Sequence, residues 1–227
     1  MLSLENASLV CFGLAIIFLI VAGVIMRRQL LLRRRISAST GERGEEKAGD
    51  VLDLNGGMNR IDHVVIGDRT DVRLMAEVDH IIKGNSSILI VETKNWAGKI
   101  SGGEEDELWT VENNGLTMTR RNPLLQVKRQ AQMLQRLYPD ISIKPYVLMV
   151  GWCNYQGTLP RELIMFTGGF LFKQIISKRG TEEEEARIEN VWNKIVDSIY
   201  SDPDYESREK LYRKYATRHS TDHHKPW

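Results

Sequence analysis

Cysteine is scarce: only Cys11 and Cys153 occur in 227 residues. Cys11 lies inside a long apolar run and Cys153 near the end of an expected strand, so the chain can build neither a disulfide framework nor a cysteine-based metal site. That usage suits a reducing compartment. Strong charge of either sign is also missing, with 31 basic against 30 acidic residues and a formal net of +1. No internal repeat is visible. Helix-turn-helix, zinc-finger and aromatic stacking motifs are absent, which excludes the modules that read nucleic-acid sequence.

The charge that is present is unevenly placed. Arg27, Arg28, Arg33, Arg34 and Arg35 form one block, and Glu5 is the only acidic residue before position 36, so the remainder carries 26 basic and 29 acidic residues, a net of −3. Ahead of the block, ASLVCFGLAIIFLIVAGVIM runs from Ala7 to Met26 without a charge. At about 1.5 Å per residue its length matches a hydrocarbon core of roughly 30 Å, which predicts a transmembrane helix. A cleaved signal peptide would put basic residues before the apolar run, whereas here they follow it. The positive-inside rule then sends the short N-terminus out and keeps the rest cytoplasmic, as in a single-pass protein of the inner cell membrane. Lipid-headgroup anchoring is enough to explain the arginine block.

These features divide the chain into a short external N-terminus over residues 1–6, a membrane helix over 7–26, a basic juxtamembrane linker over 27–40, one main domain over 41–180, and a C-terminal helical extension with a charged tail over 181–227. A 42% hydrophobic content supports one packed core in the main domain. Its opening helix is expected over residues 42–54, ending at Gly56-Gly57. Three apolar runs follow, at 60–66, 74–83 and 88–95, each closed by glycine-containing turns, and they predict an antiparallel meander. A further short strand is expected over 108–111. Asn122-Pro123 opens a helix in which Leu124, Val127, Ala131, Leu134 and Tyr138 recur at helical spacing. Strands over 146–152 and 163–166 and a short helix over 169–178 complete the domain, and a Thr181-capped helix to about Tyr200 opens the C-terminal extension. The tail beyond carries His219, His223 and His224 and reads as a disordered charged segment. The alternation points to an α/β or α+β sandwich with a mixed sheet flanked by helices.

One strand carries unusual chemistry. In ILIVETKN, residues two apart share a face, so Glu92 and Lys94 project together from a strand that is apolar on both sides. Taken alone, the pair reads equally well as a same-face ion pair. The preceding strand places Asp79 among apolar neighbours, and a hairpin through residues 84–87 would bring it near Glu92. A lone carboxylate in a core strand is costly unless paired or bound to a cation. Two converging carboxylates suit a hard cation such as Mg²⁺, with Mn²⁺ as the alternative, and Lys94 could then orient water or stabilise phosphate charge. His80 points away from Asp79 and reads as a packed or hydrogen-bonded histidine. Gln126 and Gln130, one turn apart, read on their own as a solvated face.

Four blocks in order, Gly41-Glu42-Arg43-Gly44-Glu45, Glu77-Val78-Asp79-His80, Val91-Glu92-Thr93-Lys94-Asn95-Trp96 with Gly98, and Asn122-Pro123-x-x-Gln126, resemble the nuclease-related domain (NERD). That family is similar to the PD-(D/E)xK restriction-endonuclease-like superfamily, and the likeness covers about residues 41–138. It implies a restriction-endonuclease-like sandwich that cleaves phosphodiesters with Mg²⁺. Carried over residue by residue, Glu45 becomes the helix-borne acid, Asp79 and Glu92 the metal ligands, Lys94 the catalytic lysine, and Gln126 the polar residue lining the cleft from the later helix. Ile61-Asp62-His63 is a second match to the Asp-His pattern, and the charged stretch from Asp68 to Arg73 departs from it. Asp79 is preferred because thirteen residues to Glu92 suit one hairpin and thirty do not.

Nucleic acid, DNA ahead of RNA, is the expected polyanionic partner, and Arg120, Arg121, Lys128, Arg129 and Arg136 are the expected phosphate contacts. The acidic runs at 104–107 and 182–185 can sit away from the cleft. A membrane-anchored, Mg²⁺-dependent nuclease is thus the expected activity, against a non-catalytic, membrane-tethered binding or scaffolding module of the same fold.

Overall fold

The computed structural model describes residues 44, 48–52, 59–67, 71–165 and 169–220. The segments called external N-terminus, membrane helix and basic linker lie outside them, as do Glu45, His223 and His224. Among the described residues, no helix is long and apolar enough to cross a membrane.

The expected meander forms. Strands β1 (Arg60–Gly67), β2 (Met75–Lys83) and β3 (Ile88–Lys94) pair antiparallel in succession. Beyond β3 lies β7 (Ile143–Met149), parallel to it, and then β9 (Leu163–Met165), parallel to β7, giving one five-stranded mixed sheet of order β1-β2-β3-β7-β9. Its central strand is covered on both faces. Leu89 and Val91 pack with Ala48, Val51, Leu52 and Phe172, so the helical segment at 48–52 and the helix α2 (Gly169–Ile176) cover one side. Ile88 and Ile90 pack with Leu124, Val127, Leu134, Trp192 and Ile195, so α1 (Pro123–Leu137) and α3 (Glu182–Tyr200) belong to the other. Each leucine, isoleucine, valine or phenylalanine among them, fully buried, contributes about 1.5–3 kcal/mol.

A single sheet was expected, and there are two. β4 (Gly98–Ser101), β5 (Leu108–Asn113), β6 (Leu116–Arg121) and β8 (Cys153–Tyr155) form a second mixed sheet of order β6-β5-β4-β8. The chain changes sheet twice at adjacent points. After β3 it turns through Asn95 to Ala97 into β4, and after β7 it turns through Gly151 and Trp152 into β8, which pairs parallel to β4. The two turns lie against each other, with the Gly98 N–H donating to the Trp152 carbonyl at 2.9 Å. At Gly151 a side chain would start 1.9 Å from the Trp96 carbonyl oxygen, so this close approach requires glycine. The strand expected over 146–152 therefore stops at Met149.

Local chemistry explains the helix starts. At α1 the Asn122 side chain accepts from the Leu124 N–H at 2.9 Å, with Pro123 in the first turn. The Asn122 amide also donates to the carbonyls of Gly103, Glu104 and Asp106, pinning the acidic turn to the helix. Thr181 and Glu184 close α3 with a capping box. Within the tail expected to be disordered, a helix forms, α4 (Tyr205–Ser220), and residues 221–227 lie outside those described. It is held by polar bonds: the Tyr205 hydroxyl accepts from the Val65 N–H at 3.0 Å, and Arg213 pairs with Glu77 at 3.0 Å.

Candidate active site in the fork between two strands

Pairing between β2 and β3 runs from Lys83 opposite Ile88 to His80 opposite Val91 and then stops. Beyond that point β2 continues along β1 as far as Met75, while β3 continues along β7 as far as Lys94. The strands diverge where Asp79 and Glu92 would be the next opposed pair. Such a fork opens backbone groups that a ladder would have satisfied, and buried ones must find other partners. Side chains supply them. The Asp79 carboxylate accepts from the Thr93 N–H at 2.7 Å, and the Gln130 amide donates to the Glu77 carbonyl at 2.8 Å. Tyr212 of α4 also hydrogen-bonds the Glu77 backbone; burial raises the pKa of its phenol, and that bond works against the rise.

Glu92 sits at the apex with its side chain only 4% exposed. One oxygen contacts Lys94 Nζ, and the other accepts from Gln130 Nε2 at 3.1 Å. Lys94 Nζ also donates to Gln126 Oε1 at 3.3 Å. The structure thus gathers Asp79, Glu92, Lys94 and Gln126 at one end of β3, at the carboxyl edge of its parallel pairing with β7, where open α/β sheets place their sites. The same-face ion pair anticipated for Glu92 and Lys94 is present, within a larger polar network. Gly44 packs on Asn95, just past the end of β3, and a side chain there would start 2.7 Å from the Asn95 Cβ.

Gln130 corrects the sequence reading. It is buried at 3% exposure rather than on a solvated face. The signal was available, since position 130 falls in the stripe set by Leu124, Val127, Ala131 and Leu134, which are all buried.

His80 and Asp62 belong to the opposite face. His80 is buried, with Nδ1 2.6 Å from Asp62 Oδ1 and Nε2 3.1 Å from Thr93 Oγ1. Burial works against ionisation of Asp62, but the hydrogen bond and charge of His80, together with Arg60, outweigh it and hold the carboxyl below its usual range. This relay ties β1, β2 and β3 together beneath the fork. Asp62 is therefore a hydrogen-bonding partner of His80 across from the fork.

Two oxygen-bearing carboxylates are a donor set suited to a hard cation completed by water and substrate phosphate. Among the described residues no group of three His, Cys, Asp or Glu side chains converges, so a site built on such residues alone is not present there. Of the expected phosphate contacts, Lys128 lies 3.5 Å from Glu104 and 3.8 Å from Glu105, which places part of the acidic run beside α1 and offsets that lysine's charge. Arg120, Arg121, Arg129 and Arg136 are exposed.

Residues 40–150 match the family described as NERD, the nuclease-related domain. The match spans the opening helix, the fork and α1, and stops before α3 and α4. No curated protein and no solved structure matches the chain.

Proposed function

We propose that the chain is a metal-dependent nuclease that hydrolyses phosphodiester bonds of nucleic acid, DNA ahead of RNA, tethered to the inner membrane through residues 7–26. The observation that carries this reading is the fork, which collects Asp79, Glu92 and Lys94 within the stretch that matches the nuclease-related domain. A divalent cation such as Mg²⁺, held by Asp79 and Glu92, would supply Lewis-acid charge at the scissile phosphate. Lys94 would orient the attacking water or stabilise charge on the phosphate through its N–H groups, kept in place by Glu92 on one side and Gln126 on the other. As water attacks phosphorus it gives up a proton to solvent, the bond to the leaving oxygen breaks, and that oxygen takes up a proton from water and departs as a hydroxyl. Glu45, outside the described residues, would be the further acidic group that the resemblance implies.

The test is cleavage of plasmid and of single-stranded DNA and RNA by the purified full chain, with Mg²⁺ or Mn²⁺ and with chelator. Cleavage that requires the cation and falls at least a hundredfold in Glu92→Ala and Lys94→Ala is the expected result. Cleavage that survives both substitutions would sink the assignment.

A second reading has its own support. Direct pairing of Lys94 with Glu92 is also what a non-catalytic binding or scaffolding module would retain as a structural ion pair. Equal DNA binding by wild type and Lys94→Ala, with cleavage by neither, would select it.

A further inference from the structure

The amide of Gln130 has only one workable orientation. Its nitrogen donates to the Glu77 carbonyl at 2.8 Å and to Glu92 Oε2 at 3.1 Å. A carbonyl and a carboxylate are acceptors only, so exchanging the amide's oxygen and nitrogen would break both bonds. Oε1 is therefore the atom left over. It is shielded from solvent and has no hydrogen-bond partner among the described residues. A buried acceptor without a partner carries its desolvation cost in full. The surrounding stripe of α1, with Leu124, Val127, Ala131 and Leu134, would accommodate leucine at this position without that cost.

The orphan oxygen shares its carbon with the nitrogen that touches Glu92, so it lies within a few ångströms of that carboxylate. Amide carbonyls are ordinary ligands of hard divalent cations, and a site with only two carboxylates draws its remaining oxygens from neutral groups, water and substrate. We propose that Gln130 is a positioning residue that orients Glu92 through its N–H and donates Oε1, directly or through one water, to the cation held by Asp79 and Glu92. The inference rests on the metal-dependent reading above and adds to it an oxygen-bearing side chain outside the four sequence blocks.

The test reads cation binding rather than cleavage. Thermal unfolding of the full chain in detergent is followed with increasing Mg²⁺, Mn²⁺ or Ca²⁺ for wild type, Gln130→Leu, Gln130→Glu and Glu92→Gln. Wild type is expected to be stabilised by cation, and Glu92→Gln to lose that response. Gln130→Leu should fold and require at least tenfold more cation for the same shift. Gln130→Glu, which sets a second carboxylate against Glu92, should unfold at lower temperature without cation and gain a larger shift with it. Wild-type cation responses in both Gln130 variants, whatever their stability without cation, would show packing alone and overturn the proposal. A wild type that does not respond to cation would instead remove the metal-dependent reading and this proposal with it.

Discussion

Removing Lys94 should destabilise the protein far more than neutralising Glu92, although the two form one ion pair. The Glu92 side chain is 4% exposed and that of Lys94 is 21% exposed. In Lys94→Met the carboxylate stays buried, with the Gln130 amide as its remaining partner in the fork. Breaking a buried pair in this way costs about 3–5 kcal/mol, and the surviving hydrogen bond places the expected value near the lower end, about 3 kcal/mol. In Glu92→Gln the volume is kept, Gln130 keeps an acceptor, and the Lys94 ammonium can turn to water and to Gln126. The expected cost is about 1 kcal/mol. Urea unfolding separates the two. With a slope of about 1–3 kcal/mol per molar, Lys94→Met should move the midpoint by roughly 1 M or more, and Glu92→Gln by well under half that shift. Both differences should persist at high salt, because buried charges are poorly screened. Equal costs below about 1 kcal/mol for both variants would show the pair to be solvated and would refute the buried-apex argument.

Two further outcomes are expected. Asn122→Ala removes the cap of α1 and three bonds to the turn carbonyls, and a loss of about 2–3 kcal/mol in urea unfolding is expected; a loss below about 1 kcal/mol would mean that water replaces those bonds. Because the Asp62 carboxyl is held below its usual range, its stabilising effect is complete above the ordinary aspartate value of about 3.9 and is lost as pH falls through the lower folded value. The stability advantage of wild type over Asp62→Asn should therefore shrink toward about pH 2, and a difference independent of pH would count against the relay with His80.

How much of this was legible in the sequence depended on whether burial left a periodic trace. The meander was readable because β2 and β3 are apolar runs closed by turn residues, and α1 because Asn122-Pro123 starts it and an apolar stripe sustains it. The second sheet left little trace: β6 is exposed at every residue, so LTMTRR shows no buried alternation, and β8 has only three residues. α4 was missed because YESREKLYRKYATRHS has no apolar stripe and docks through tyrosine hydroxyls and Arg213. At the site, the spacing of Asp79, Glu92 and Lys94 was enough to place them together across one hairpin. The roles of Glu77 and Gln130 depend on backbone groups exposed where two strands part, and residue type alone does not encode a divergence.

The latch between α4 and Glu77, beside the fork, is a long-range closure that joins residues separated by 136 positions. Such a contact repays its loop-closure entropy only after the intervening sheets and helices have condensed, so it forms late. Synthesis runs in the same order. A growing chain carries Asp79, Glu92 and Lys94 long before it carries Tyr212 and Arg213, and Glu77 gains these last contacts only when the helix over 205–220 has been made.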